Sequence, residues 1–128
     1  MIKAKKSLGQ NFLIDQEILE LIINLTSIEG KSVLEIGPGT GSLTSLILKK
    51  KPKEFCVIEK DNILAEKLAN NYKNKIKVIN EDVLKIDENL LFSEKIKVFG
   101  NLPYNISTEI LCKWIVSLKG NFWFDCLI

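Results

Sequence analysis

A chain of 128 residues, 46% apolar and 27% charged, is long enough to bury one sizeable core and too apolar to be disordered. Its formal net charge of +2 is too small to establish a polyanionic partner, and all 18 basic residues are lysines, so a basic contact here is a mobile point charge and not the bidentate fork of arginine. With no histidine, and with Cys56, Cys112 and Cys126 far apart in apolar runs, a metal site and disulfides are disfavoured against buried, reduced thiols.

Residues 1–14 read as an irregular basic leader carrying Lys3, Lys5 and Lys6 and ending in Gly9-Gln10-Asn11-Phe12-Leu13. Polar residues follow those lysines, which is not a signal peptide, and no window is apolar for long enough to span a bilayer. Both observations lead us to expect a cytoplasmic protein with no membrane partner. A helix is predicted from Asp15 as N-cap, with Ile18, Leu19, Ile22, Ile23 and Leu25 as its apolar stripe and an end near Gly30. Val33-Leu34-Glu35-Ile36 reads as a strand that breaks into Gly37-Pro38-Gly39-Thr40-Gly41. A second helix follows on Leu43, Leu46 and Ile47 and runs into the solvated lysines Lys49, Lys50, Lys51 and Lys53 around Pro52.

Phe55–Ile58 is a second, buried strand closed by Glu59. Asp61 caps the next helix, whose Leu64, Ala65, Leu68 and Ala69 are expected to face inward. Ile76–Ile79 is a third strand ending in Asn80-Glu81-Asp82, and Ile96–Phe99 a fourth, ending in Gly100-Asn101-Leu102-Pro103-Tyr104-Asn105-Ile106-Ser107. A helix over Ile110, Leu111, Trp114, Ile115 and Leu118 stops at Gly120, and Phe122–Ile128 is a fifth strand in which the sequence stops. Strands alternating with helices imply a mostly parallel α/β sheet, with its ligand at the carboxyl ends of the strands.

The glycine loop is the first chemical signal. Glycines let a polar ligand approach the backbone, and the loop amides with the following helix N-terminus offer positive potential to a small ligand bearing a carboxylate or phosphate. In a dinucleotide fingerprint, G-x-G-x-x-G, the third glycine would fall at Ser42; here it comes one place early, at Gly41. That spacing, and the lack of a histidine for hydride transfer, disfavour a nicotinamide dehydrogenase. Headed by Glu35, the pattern E-x-G-x-G-x-G resembles motif I of S-adenosylmethionine-dependent methyltransferases. Glu59, 22 residues after Gly37, is offset as an acid that reaches ribose hydroxyls. Asp82, favoured over Glu81, would face the far end of the same nucleoside and accept from an adenine amino group.

The second signal is Asn101-Leu102-Pro103-Tyr104. The side-chain carbonyl of Asn101 and the main-chain carbonyl of Leu102 can both accept from a planar exocyclic amine, Pro103 stiffens the turn, and Tyr104 offers a stacking face. An amine conjugated with a ring is a poor nucleophile. Acceptors that draw its hydrogens out of the ring plane favour attack on a methyl sulfonium, so such a site acts by orientation and electrostatics. A base must leave its stack to be reached, which suits a flipped or single-stranded nucleotide.

These motifs, with Lys6-Ser7-Leu8-Gly9-Gln10-Asn11-Phe12-Leu13 in the leader, closely resemble the ribosomal RNA adenine N6-dimethyltransferase family, and more its small-subunit enzymes than its antibiotic-resistance relatives. The resemblance covers essentially the whole chain. It implies a Rossmann-like methyltransferase sheet, S-adenosyl-L-methionine as cofactor, and dimethylation of two adjacent adenines near the 3′ end of small-subunit ribosomal RNA, by a monomer acting on the assembling subunit. It further implies that Asn11 and Leu13 close over the cofactor, making residues 1–14 a lid. Gly37 then lines the methionyl part, Glu59 holds the ribose, Asp82 the adenine, and Asn101 both methionine and target amine. Family members continue beyond the fifth strand, so residues 15–128 are expected to form an incomplete cofactor-binding domain. A truncated, non-catalytic remnant that binds cofactor or RNA without turnover is the competing expectation.

Overall fold

Strands buried on both faces have no need of polar alternation, and β1 (Ser32–Ile36) is buried at every position, β2 (Glu54–Ile58) at all but its first. The architecture is that of a computed structural model describing residues 16–86, 96–100, Glu109 and, as backbone alone, 124–127. With β3 (Lys77–Ile79), β4 (Ile96–Gly100) and β5 (Phe124–Leu127) these strands form one sheet of order β3-β2-β1-β4-β5. Every pairing is parallel, and a register shift at Ile96/Lys97 marks the β4–β5 pair. The α/β parallel sheet expected from the alternation of elements is therefore present.

Three helices precede β4 among the described residues: α1 (Gln16–Ile23), α2 (Ser42–Lys49) and α3 (Asn62–Tyr72). One core joins them to the sheet, with Leu19, Ile23, Leu46, Ile47 and Leu68 packed on Val33, Phe55, Val57 and Phe99. The other face carries Leu34, Ile36, Cys56, Ile58, Ile96 and Val98, with Val83 from a 3-10 turn over Val83–Lys85. Cys56 is a buried free thiol, as its apolar run implies, and burial pushes its pKa up to about 11. Cys112 and Cys126 have no described side chains.

Two expectations need correction. The first helix ends at Ile23, where Asn24 N–H bonds back to Glu20 O and Leu21 O, and not near Gly30. Leu19 and Ile23, one turn apart, are buried in the core, and Ile22, half-buried, packs against it. Ile18, on the helix face away from the sheet, is 49% exposed, and Leu25, past the helix end, is 69% exposed before Ile28 is buried ahead of β1. In α3, Ala65 and Leu68 are buried as expected, but Ala69 is exposed. Asp15 and, apart from Glu109, the helix predicted over 107–120 lie outside the described residues.

The chain steps outward from β1 to β2 to β3 and then returns to lay β4 against β1. That reversal opens a crevice at the carboxyl ends of β1 and β4, the place where open α/β sheets take their ligands.

Candidate functional site

Immediately after β1 the backbone makes three left-handed excursions, at Gly37 (φ 65), Gly39 (φ 59) and Gly41 (φ 91). Side chains with a Cβ pay a steric cost at each such position, which is the local reason for the repeated glycines. Two of them serve different ends. A Cβ added at Gly39 would meet nothing within 4 Å, leaving open space over the backbone. One added at Gly41 would lie 3.3 Å from Leu68 Cδ2 and 3.7 Å from Tyr72 Oη, so Gly41 lets α3 close on the start of α2.

All three glycine amides are bonded within the chain, which corrects the picture of a loop that offers its own N–H groups to a ligand. Gly37 N–H extends the ladder to Ile58 O at 2.9 Å, Gly41 N–H turns back to Pro38 O at 3.0 Å, and Gly39 N–H donates to Glu59 Oε1 at 3.2 Å. The N–H groups at the start of α2 have no side-chain cap, because the N-cap residue is Gly41. Helix N-terminal amides without such a partner suit a carboxylate or phosphate.

Glu59, at the tip of β2, is only 7% exposed and uses both carboxylate oxygens on backbone: Oε1 on Gly39 N–H and Oε2 on Asp61 N–H at 3.0 Å. Each oxygen retains a second lone pair, so a ligand hydroxyl can still be accepted without breaking either bond. Asp61 then caps α3, its Oδ1 accepting from Ile63 N–H at 2.8 Å and Leu64 N–H at 3.0 Å. At the third strand tip, Asp82 is half-buried and its Oδ1 accepts from Leu84 N–H at 3.0 Å, while Oδ2 lies 3.8 Å from Lys60 Nζ. Glu81 is exposed. Gly37, Glu59 and Asp82 thus stand at the carboxyl ends of three adjacent strands, β1, β2 and β3.

Asn11, Leu13, Asn101, Leu102 and Tyr104 lie outside the described residues. The backbone leading to Asn101 is described: Gly100 ends β4 as the Cα partner of Ile36, the residue before Gly37.

Beneath the loop, Glu35 is 2% exposed and its Oε1 accepts from Thr44 Oγ1 on α2. Burial pushes its pKa up to about 7; the Thr44 hydrogen bond works against that rise and the nearby Glu59 charge adds to it. Thr44 and Asn80 are site residues without a role in the sequence-based account. Thr44 has a retrospective signal, a hydroxyl on the buried face of a helix following a charged residue in an apolar strand. Asn80 has none beyond its place at a strand end. Among the described residues no three His, Cys, Asp or Glu side chains gather as a metal site, and no helix is long and apolar enough to cross a membrane.

Comparison with known proteins adds the following. The family model for "Ribosomal RNA adenine dimethylase" matches residues 1–124. Ribosomal RNA small subunit methyltransferase A of Pelagibacter ubique is 60% identical over 127 residues, covering 99% of this chain and 48% of that protein. The same-named protein of Wolbachia pipientis wMel is 45% identical over 123 residues, covering 93% and 43%. Among solved structures, the 23S rRNA methyltransferase ErmE superposes with a TM-score of 0.69 at 29% identity, over 82% of this chain and 43% of that one. A dimethyladenosine transferase from Plasmodium falciparum gives 0.68 at 28% identity, over 91% and 42%. The chain spans about half the length of the curated relatives it matches.

Proposed function

The chain belongs to the ribosomal RNA adenine dimethylase family, and from that premise we propose that it carries the S-adenosylmethionine-binding part of an enzyme that dimethylates N6 of two adjacent adenines near the 3′ end of small-subunit ribosomal RNA. Its fold is the Rossmann-like methyltransferase sheet. The observation that carries the reading is the rim itself: a left-handed glycine loop with open space over Gly39, followed by carboxylates at the next two strand tips. Those donors and acceptors fit a nucleoside that carries an amino acid.

In this reading the backbone at Gly37 lines the methionyl portion and the start of α2 faces its carboxylate. Glu59 accepts from the ribose hydroxyls through the lone pairs left by Gly39 and Asp61, and Asp82 accepts from the adenine amino group. Asn11 and Leu13 close the leader over the cofactor. When bound, the cofactor supplies an electrophilic methyl on a sulfonium. Asn101 and the Leu102 carbonyl hold the target N6 hydrogens out of the ring plane, and Tyr104 stacks on the extruded base. The substrate is the assembling small subunit, met in the cytoplasm by a monomer.

Calorimetry with the demethylated cofactor, S-adenosylhomocysteine, tests the site. Glu59→Ala should weaken binding by roughly 1–3 kcal/mol, the cost of unpaired ribose hydroxyls, and an unchanged affinity removes Glu59 from the role. Undermethylated small subunits incubated with labelled methyl donor test the reaction; cofactor binding without labelled RNA would favour the remnant.

A further inference from the structure

Glu59 is held not only by what its carboxylate touches but by what grips its backbone. Its N–H donates to Ile79 O at 2.9 Å, the last rung of the β2–β3 ladder. Its carbonyl is taken by a side chain: Asn80 Nδ2 donates to Glu59 O at 2.9 Å and to Lys60 O at 3.2 Å. Two carbonyl acceptors can be met only by the amide nitrogen, so this orientation of Asn80 is dictated by its partners. Glu59 and Lys60 are the residues where the chain leaves β2 and swings toward the Asp61 cap of α3, and no ladder remains there to set their peptide planes. Asn80, an exposed side chain, holds the Glu59–Lys60 plane and shares the Lys60–Asp61 plane with Glu59 Oε2, which accepts from Asp61 N–H.

We propose that Asn80 is a positioning residue for cofactor recognition: by bonding the Glu59 and Lys60 carbonyls it fixes the peptides that present Asp61 N–H to the Glu59 carboxylate, and so the rotamer in which that carboxylate meets both the Gly39 amide and the ribose. The inference rests on the reading of Glu59 as the ribose acceptor and goes beyond it, because Asn80 itself touches no cofactor. A free Glu59 peptide could rotate about ψ, which carries Asp61 N–H away from Oε2 and leaves the carboxylate with Gly39 N–H as its one backbone donor, free to turn about that bond. The carboxylate would then meet the ribose only in a fraction of molecules, and apparent affinity falls by that fraction. The alternative, that Asn80 merely ties the three-residue edge strand β3 to its neighbour, predicts a loss of stability that does not depend on Glu59.

A double-mutant cycle separates them. The dissociation constant for S-adenosylhomocysteine is measured by calorimetry on the full chain for wild type, Asn80→Ala, Glu59→Gln and the double variant, with folding checked by circular dichroism. Asn80→Ala should weaken binding about fivefold, the worth of a hydrogen bond near 1 kcal/mol, and less than twofold once Glu59 is Gln. Asn80→Asp keeps the side chain's size but presents only oxygen to the two carbonyls, so it should lose at least as much. Wild-type affinity in either Asn80 variant, or an equal loss in both Glu59 backgrounds, overturns the positioning role and leaves the ribose reading standing. Unaltered affinity in Glu59→Gln alone brings down both.

Discussion

Replacing Glu35 with Gln should flatten the pH dependence of this protein's stability. Glu35 is 2% exposed, and burial raises its pKa from 4.5 to about 7. A raised native pKa means that the folded chain holds a proton which the unfolded chain releases. The resulting stabilisation is complete below about pH 4.5 and is lost as pH rises through about 7. A shift of that size corresponds to about 3 kcal/mol across the window, at roughly 1.4 kcal/mol per pH unit. Glutamine preserves the oxygen that accepts from Thr44 Oγ1 and has no proton to lose. Urea denaturation at intervals from about pH 5 to about pH 9 should therefore show wild type losing stability relative to Glu35→Gln as pH rises, with the two curves parallel above about pH 8. Parallel curves across the whole range would refute the assignment of a protonated, buried Glu35.

Gly41→Ala should lower stability by about 1–2 kcal/mol, since a Cβ at φ 91 is strained and would sit 3.3 Å from Leu68 Cδ2; thermal unfolding reads the loss, and an unchanged midpoint would mean that α3 does not close on this glycine. Asp61→Ala removes the acceptor for Ile63 and Leu64 N–H and should cost about 1 kcal/mol in urea unfolding. Retained stability there would show that solvent caps α3 equally well.

What could be read from the chain alone was whatever depends on neighbours in sequence. Apolar runs of strand length bounded by glycine or charge announced β1, β2 and β4, and Asp61 announced the cap of α3. Three glycines in five residues announced the left-handed loop, because backbone sterics at one residue need no knowledge of the rest of the fold. The offset from Gly37 to Glu59 is likewise a distance along one βαβ unit.

Tertiary structure alone decided which polar atoms meet. Ile18 and Ala69 continue helical apolar patterns yet lie exposed, because a helix buries only the strip its neighbours reach, and Leu25 lies exposed because the helix has already ended at Ile23. The glycine amides turned out to be used by Ile58, Pro38 and Glu59, and the Glu59 backbone by Asn80. Glu35 found Thr44 across the strand–helix interface, in an environment dry enough to carry its pKa to about 7. Periodicity states what each segment prefers; the partner of a buried donor or acceptor is set by register and packing between segments, and no stretch of chain carries that by itself.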